Sequence, residues 1–342
     1  EPPGFDPGAI TPHGHAIEAR IYAEDPARDF LPATGTIVRW RPPAGEGVRV
    51  DDGVRTGDTV SINYDPMIAK VIAWGETRAE AVRRLDYALA QTQLMGLRNN
   101  IAFLRRVLMH PAHLAGDIST HFLDAHPELA TTDVDTPPAV LIACAIAMAG
   151  ESQPGLAAWR NNRFRPIRHT LAPVDAASTE PVDVLLTPRS QDVCEAEVAG
   201  GTHTVHMSAR AVDALTLVID GHRQHFTLAN DGDRWWVHTD GHTHTLDWQT
   251  PLPLPGQTAA AAGSLRAPMP GQVIRVEVSA GQHVQQGALL LVLEAMKMEH
   301  RIEAPYDGVV GSVHYGVGDT VQADAALLEI EPEAAGEAAA TD

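Results

Sequence analysis

The chain has 342 residues, with 25 Lys and Arg against 44 Asp and Glu, for a formal net charge of −19. That acidic excess argues against nucleic acid or an anionic membrane as a partner, since both are met by Lys/Arg patches. Two cysteines fifty positions apart, Cys144 and Cys194, make neither a disulfide framework nor a zinc spacing and fit a reducing compartment.

The length predicts two or three domains. The chain opens Glu1-Pro2-Pro3-Gly4-Phe5, with no initiator Met and no leader pattern, and reads as the interior of a longer sequence. Polar and apolar residues alternate from Ala16 to Tyr22, predicting a half-buried strand that Asp25-Pro26 ends. Phe30 to Gly35 reads as a turn-rich connector. Val48-Arg49-Val50, Val60-Ser61-Ile62 and Met67 to Trp74 are further strand candidates. Arg78 to Met95 carries Ala81, Val82, Leu85, Ala88 and Leu89 at helical spacing and is closed by Gly96. Ile101 to Met109 reads as a second helix, stopped before Pro111.

Thr131 to Pro138 is a Thr/Asp/Pro linker, and Thr136-Pro137-Pro138 reads as a helix start. The apolar run Ala139 to Ala149 follows, too short to span a bilayer, which takes about 20 residues, so a buried helix is expected. Seven short strands come next: Val182 to Leu186, Asp192 to Val198, Thr202 to Met207, Ala214 to Ile219, Arg223 to Leu228, Arg234 to His238 and His242 to Trp248. Gly200-Gly201, Asp220-Gly221 and Asp240-Gly241 separate them as hairpin turns. Strands at this spacing predict an antiparallel barrel or sandwich, with the one apolar helix plugged into it. The histidine pairs His203/His206, His222/His225 and His242/His244 sit in strands near turns, and no Cys, Asp or Glu completes a ligand set, so no metal site is expected. Pro251 to Pro255 and Ala259 to Gly263 form a Pro then Ala/Gly linker, expected to be flexible.

The last segment is duplicated. Ala267-Pro268 recurs as Ala304-Pro305, Gly271 as Gly308, Val273 as Val310, Gly281 as Gly318, Val284 as Val321 and Leu291 as Leu328, always 37 residues on. A constant offset means two copies of one supersecondary unit, each too small for its own core, which together make a small β sandwich. Lys297 falls midway, between Met296 and Met298, on the hairpin joining the copies. An ordinary turn lysine would not explain a duplication centred on it, nor two methionines at an exposed tip. The Ala/Glu-rich stretch from Glu331 reads as frayed, with 333–342 a disordered tail.

Ala295-Met296-Lys297-Met298 resembles the biotinylation site of biotin-dependent carboxylases, and the 37-residue unit resembles their carboxyl carrier domain. Lipoyl carriers share the fold but usually place an acidic residue before the lysine, so Met296 favours biotin. Gly14 to Arg20, Phe30-Leu31-Pro32, Gly47-Val48-Arg49 and Tyr64 to Lys70 resemble the C-terminal subdomain of biotin carboxylase, an ATP-grasp enzyme. The middle strands and helix resemble the subunit-docking domain of propionyl- and methylcrotonyl-type acyl-CoA carboxylases. Trp159-Arg160 and Trp235-Trp236-Val237 lean toward the methylcrotonyl subfamily and hence leucine degradation.

The resemblance implies a multidomain, mainly β fold. It comprises an α+β biotin carboxylase subdomain (1–130), a docking β-barrel around one helix (131–250), a linker (251–264) and a duplicated carrier sandwich (265–332). It implies biotin amide-linked to Lys297, with Met296, Met298 and Glu294 recognised by biotin protein ligase and at the active sites. Arg49 aligns with the arginine that steadies the biotin oxyanion, a role suited to a permanently charged guanidinium, and Thr120 with an adenine contact. Asp65 and Lys70 read as structural partners. ATP, Mg2+ and bicarbonate are the implied co-reactants, and a carboxyltransferase beta subunit holding the acyl-CoA is the implied partner in a hetero-oligomer. The glycine-rich phosphate loop, nucleotide lysines and metal-binding glutamates of the family do not occur in these residues, so the chain alone is expected not to carboxylate biotin. Cytoplasm is expected for a bacterial protein and the mitochondrial matrix for a eukaryotic one. The alternatives are a propionyl- or geranyl-CoA carboxylase, a non-enzymatic biotin or lipoyl shuttle, and a pure assembly module.

Overall fold

A computed structural model describes residues 4, 7–9, 11–131, 135–151, 165–174, 176, 178–190, 192–249, 264–296 and 298–332. The chain divides into two compact units. One comprises Glu1–Phe30, Thr36–Asp58 and Met67–Pro251; the other comprises Leu31–Gly35, Thr59–Pro66 and Leu252–Asp342.

In the first unit, strand Met67–Gly75 is central to a three-stranded antiparallel sheet, flanked by His15–Tyr22 and Val48–Asp52. Helix Arg78–Gln91 packs on it through Ala81, Val82, Leu85, Ala88 and Leu89. Thr77 caps its start, accepting from the Glu80 N–H at 3.3 Å. The helix ends four residues short of the Met95 boundary that its periodicity predicts. Thr92 turns the chain out, its hydroxyl donating to Ala88 O and its N–H to Leu89 O. Gln93–Met95 is then a fully buried strand paired with Arg39–Arg41. Non-local pairing overrides local helical preference here. Helix Ile101–Met109 has the predicted bounds.

The same unit holds a closed barrel of eight antiparallel strands, running from Ile167–Pro173 to His242–Gln249, which pair with each other to shut it. Seven were predicted. The eighth, Ile167–Pro173, has weak alternation and a terminal Pro, and it is a strand because Val182–Pro188 and His242–Gln249 both bond to it. From Val140 to Met148 helix Pro138–Glu151 is apolar on all sides and buried on all sides. Val140, Ile142, Cys144 and Ile146 have no exposed surface and share one core with Leu186, Leu217 and Phe226 of the strands. The helix therefore occupies the space that an eight-stranded barrel otherwise fills with side chains.

Four barrel hairpins have two-residue turns: one is Gly232-Asp233, between Asp231 and Arg234, and the other three are set by the pairs Val198↔Gly201, Ile219↔His222 and Thr239↔His242. In these three the turn residues Ala199-Gly200, Asp220-Gly221 and Asp240-Gly241 all have positive φ, from 48° to 86°. Two successive positive φ values match the right-handed strand twist, which is why Asp-Gly serves.

In the second unit the repeat becomes two four-stranded sheets. One orders Ser264–Arg266, Ala326–Pro332, Gly308–Val313 and His283–Val284; the other orders Met298–Glu303, Leu289–Ala295, Gly271–Val276 and Thr320–Val321. Each sheet takes two strands from each copy, so neither copy closes a core alone. Gly271 and Gly308 are equivalent and buried: a Cβ would lie 2.8 Å from Glu294 O at the first and 2.5 Å from Glu331 O at the second. Only a glycine allows that approach. Glu331 and Pro332, expected to fray, instead pair with Val309 and Gly308. The expected linker 251–264, apart from Ser264, which opens strand Ser264–Arg266, lies outside the described residues, as do the tail 333–342 and Trp159-Arg160.

Candidate functional site

Leu289–Ala295 and Met298–Glu303 form the hairpin between the two copies. Leu290, Leu291, Val292 and Leu293 are fully buried, which anchors one arm in the sandwich. The pair Ala295↔Met298 leaves Met296 and Lys297 between the strand ends. Lys297 itself lies outside the described residues. Met296 has φ 48°, the left-handed region found at the first position of the barrel turns. A residue with a side chain costs about 1–3 kcal/mol there. Met296 is buried, and its N–H donates to Ile62 O at 3.1 Å within the second unit. Ile62 itself stands outside a strand: the predicted strand Val60 to Ile62 is Thr59–Val60, after which Ile62 and Asn63 form a turn. Met298 is 44% exposed, and Glu294 and Glu299 are exposed opposite one another. The two methionines thus differ: Met296 packs inward and Met298 stands in solvent.

Arg49 lies on Val48–Asp52, in register with Ile72. It is exposed, and its Nε donates to Asp51 Oδ1 at 2.9 Å, two residues along on the same face. That hydrogen bond raises the guanidinium above its ordinary pKa, so the charge is permanent. Its terminal nitrogens make no hydrogen bond among the described residues and remain available to an anion. Lys70 is registered opposite Arg20 on one side and Asp51 on the other. Thr120 is exposed in the turn before helix Phe122–Ala125.

Two features escaped the sequence reading. One is the joint between the carboxylase-like segment and the barrel, all within the first unit. Arg39 pairs with Asp213, Gln93 Nε2 donates to Thr227 Oγ1 at 3.3 Å, and Arg105 Nη1 donates to Gly241 O at 2.7 Å. His238 Nε2 lies 3.1 Å from Ala90 O, which only accepts, so Nε2 carries the proton and Nδ1 accepts from Thr243 Oγ1 at 2.9 Å. Burial holds His238 down to about 4, and does the same to His244. Both line a cavity of about 120 Å³ together with Thr92, Arg98 and Trp236. The second feature is the group His110, His126 and Glu128. Among the paired strand histidines, His203 Nδ1 bonds Asp220 Oδ2 at 2.7 Å and His225 Nδ1 meets Thr216 Oγ1 at 3.1 Å.

Three known families match parts of the chain. Residues 18–125 match the biotin carboxylase C-terminal domain. Residues 137–251 match the BT domain of the methylcrotonyl-CoA carboxylase alpha-subunit, and residues 263–330 match the family described as biotin-requiring enzyme. The methylcrotonoyl-CoA carboxylase subunit alpha of Dictyostelium discoideum is 32% identical, over 91% of this chain and 48% of its own. The mouse (Mus musculus) protein of that name is 32% identical, over 95% and 48%. The human (Homo sapiens) propionyl-CoA carboxylase alpha chain is 32% identical, over 94% and 47%. Among solved structures, the biotin carboxylase subunit of pyruvate carboxylase is 36% identical over 40% of this chain and 30% of that one, with a TM-score of 0.38.

These three domains in this order, with a duplicated carrier, define a biotin-dependent carboxylase polypeptide that bears its own prosthetic-group domain. The chain belongs to the biotin-dependent acyl-CoA carboxylase alpha-subunit family. It spans about half the length of the curated relatives it matches.

Proposed function

We propose that this chain is the biotin-bearing part of an ATP-dependent acyl-CoA carboxylase alpha subunit, with biotin joined to Lys297 and 3-methylcrotonyl-CoA as the favoured substrate. The observation that carries the reading is the composition of the hairpin tip. Turns of the same length in the barrel use Ala199-Gly200, Asp220-Gly221, Gly232-Asp233 and Asp240-Gly241, each with a glycine, whereas the carrier uses Met296-Lys297. Folding alone favours the former, so Met-Lys at the tip answers to something else: a ligase that must find one amine.

The residues fit the group. The tip ends a hairpin anchored by buried leucines, so an attached group would be held on a rigid support. Exposed Met298 and Glu294 offer an apolar and an acidic contact beside it, for ligase and active-site docking. Biotin supplies the nitrogen that takes up CO2 from bicarbonate and gives it to the acyl-CoA. Arg49 would hold a fixed positive charge where oxyanion character develops, its Nε locked by Asp51. Thr120 would contact the adenine of ATP.

In this reading residues 1–130, 131–250 and 265–332 are the carboxylase subdomain, docking barrel and carrier, with 251–264 as the tether and 333–342 as a tail. The barrel docks a carboxyltransferase beta subunit that holds the acyl-CoA, and a tether raises the local concentration of the carrier at both centres. The chain alone would not show bicarbonate-dependent ATPase activity, because the family's phosphate- and metal-binding elements are not among its residues. Propionyl-CoA is the second reading, supported by the human propionyl-CoA carboxylase relative. The mitochondrial matrix suits a eukaryotic source, as in the names of several relatives, and the cytoplasm a bacterial one.

Intact mass after incubation with biotin protein ligase, biotin and ATP tests the attachment. The wild type should gain a single biotin and Lys297→Arg none. Biotin on the Lys297→Arg protein would end the assignment.

A further inference from the structure

We propose that His110, His126 and Glu128 form a binding site for a divalent transition cation of the zinc class. Among the described residues this is the one group of three metal-ligating side chains whose ligand atoms lie within 4.8 Å of one another. None of its residues is among those proposed for biotin, the oxyanion or adenine.

The geometry starts from the local chain. His110 links helix Ile101–Met109 to helix Pro111–Ala115, standing at the end of one and the start of the other. His126 stands in the same way between helix Phe122–Ala125 and the 3-10 turn Pro127–Ala130, which carries Glu128. His126 Nδ1 is 3.1 Å from Glu128 Oε1, and His110 Nε2 is 3.9 Å from the same oxygen. Ligands on a tetrahedral zinc with bonds of about 2.0–2.1 Å stand roughly 3.4 Å apart. One separation is slightly shorter than that and the other slightly longer, so a small movement of the exposed Glu128 side chain adjusts both, and the imidazole ligand atoms lie within 4.8 Å of each other.

The rings are held in place. The His110 and His126 centroids are 4.2 Å apart, and Phe122 packs against both, at 5.5 Å and 4.9 Å. Phe122 is buried with Phe103 and Leu129 in one small apolar cluster. Among the described residues His110 Nδ1 is buried without a hydrogen-bond partner, and Nε2 is the ring nitrogen that faces Glu128. Arg106 Nε donates to Leu129 O at 2.9 Å and fixes the 3-10 turn from behind. Two imidazoles and one carboxylate form a borderline set that suits zinc, cobalt or nickel better than calcium or magnesium. Three protein ligands leave a fourth position open, on the side where Glu128 is 61% exposed.

Such an ion would tie residue 110 to residues 126–128 and close a loop that contains Thr120. A cation that binds only the folded form stabilises it by mass action.

The full chain, stripped with a chelator, would be titrated with Zn2+ by calorimetry and with Co2+ by visible absorption. The wild type should bind a single tight equivalent, give the intense visible band of four-coordinate Co2+, and melt at a higher temperature with Zn2+ than without. His126→Ala and Glu128→Gln should lose the equivalent, the band and the metal-dependent rise. Glu128 is exposed, so Glu128→Gln should keep the metal-free melting temperature of the wild type and serve as the folded control. Zn2+ binding or stabilisation that is equal in wild type and Glu128→Gln would overturn the site and assign the metal to other histidines. No binding by the wild type would overturn it outright.

Discussion

The barrel and the carrier sandwich are both antiparallel, and both use two-residue hairpin turns, yet they solve the core problem in opposite ways. The carrier duplicates one half-sandwich, and the copies exchange strands until each sheet draws on both. The barrel has no repeat and fills itself with a helix from outside the sheet. A self-complementary fold needs no filler, whereas a closed barrel with one core depends on its plug. The turns differ as well: the barrel's follow backbone preference, and the carrier's departs from it at the residue pair proposed to be functional. Departure from the cheapest local choice is itself a signal of function.

The widest gap between the two should open on changing Ile146 to Asp. Ile146 has no exposed surface, and a carboxylate there has no partner. The cost should exceed about 4 kcal/mol and unfold the barrel. Circular dichroism and limited proteolysis should show the barrel lost while ligase still loads biotin onto the carrier; loss of both would mean the carrier depends on the barrel.

Acid should separate the two regions next. His238 is neutral and buried in the joint on the barrel, with its pKa lowered from 6.5 to about 4. A lowered folded pKa contributes stability above the unfolded value of 6.5, and this is lost as pH falls toward 4. At pH 5 the loss from this one residue is about 2 kcal/mol. Melting followed by Trp235 and Trp236 fluorescence should shift down between pH 6.5 and 4, and His238→Gln should flatten the dependence. An unchanged slope would remove His238 from the account.

Within the carrier, Gly271→Ala and Gly308→Ala test the duplication. Each new methyl group meets the carbonyl of the paired strand, so each should cost about 1–3 kcal/mol, and the two costs should be similar. Urea melts of the two variants that differ widely would show that the symmetry is one of sequence more than of energetics.

The smallest structural effect should come from Met296→Gly. Glycine accepts φ 48° without strain, which offsets part of the burial lost with the Met296 side chain, so stability should fall by only about 1 kcal/mol. Biotin transfer should nonetheless slow, read as a fall in the initial rate of ligase-dependent labelling. A rate equal to wild type would leave Met296 a packing residue only.

Much of this was legible in the chain. The offset of 37 gave away the carrier, because equivalent strands meet equivalent partners, and an apolar run of eleven residues, too short for a bilayer, read as a buried helix. What escaped were features whose cause lies elsewhere in the fold. Gln93–Met95 carries a helical pattern but is captured by Arg39–Arg41. Ile167–Pro173 has little strand character of its own and is fixed by two neighbours. His110 and His126 are sixteen residues apart, with no periodicity linking them, and only the packing of both on Phe122 brings them together.

The order of residues thus gave the two-copy carrier and the lysine at its midpoint, since local pattern and repetition are properties of the chain read along its length. Closure of the barrel around its helix, the neutral histidine in the joint, and the meeting of His110 with His126 and Glu128 were decided in three dimensions. Each requires groups distant in sequence to share a space from which water is excluded, and no local pattern specifies that.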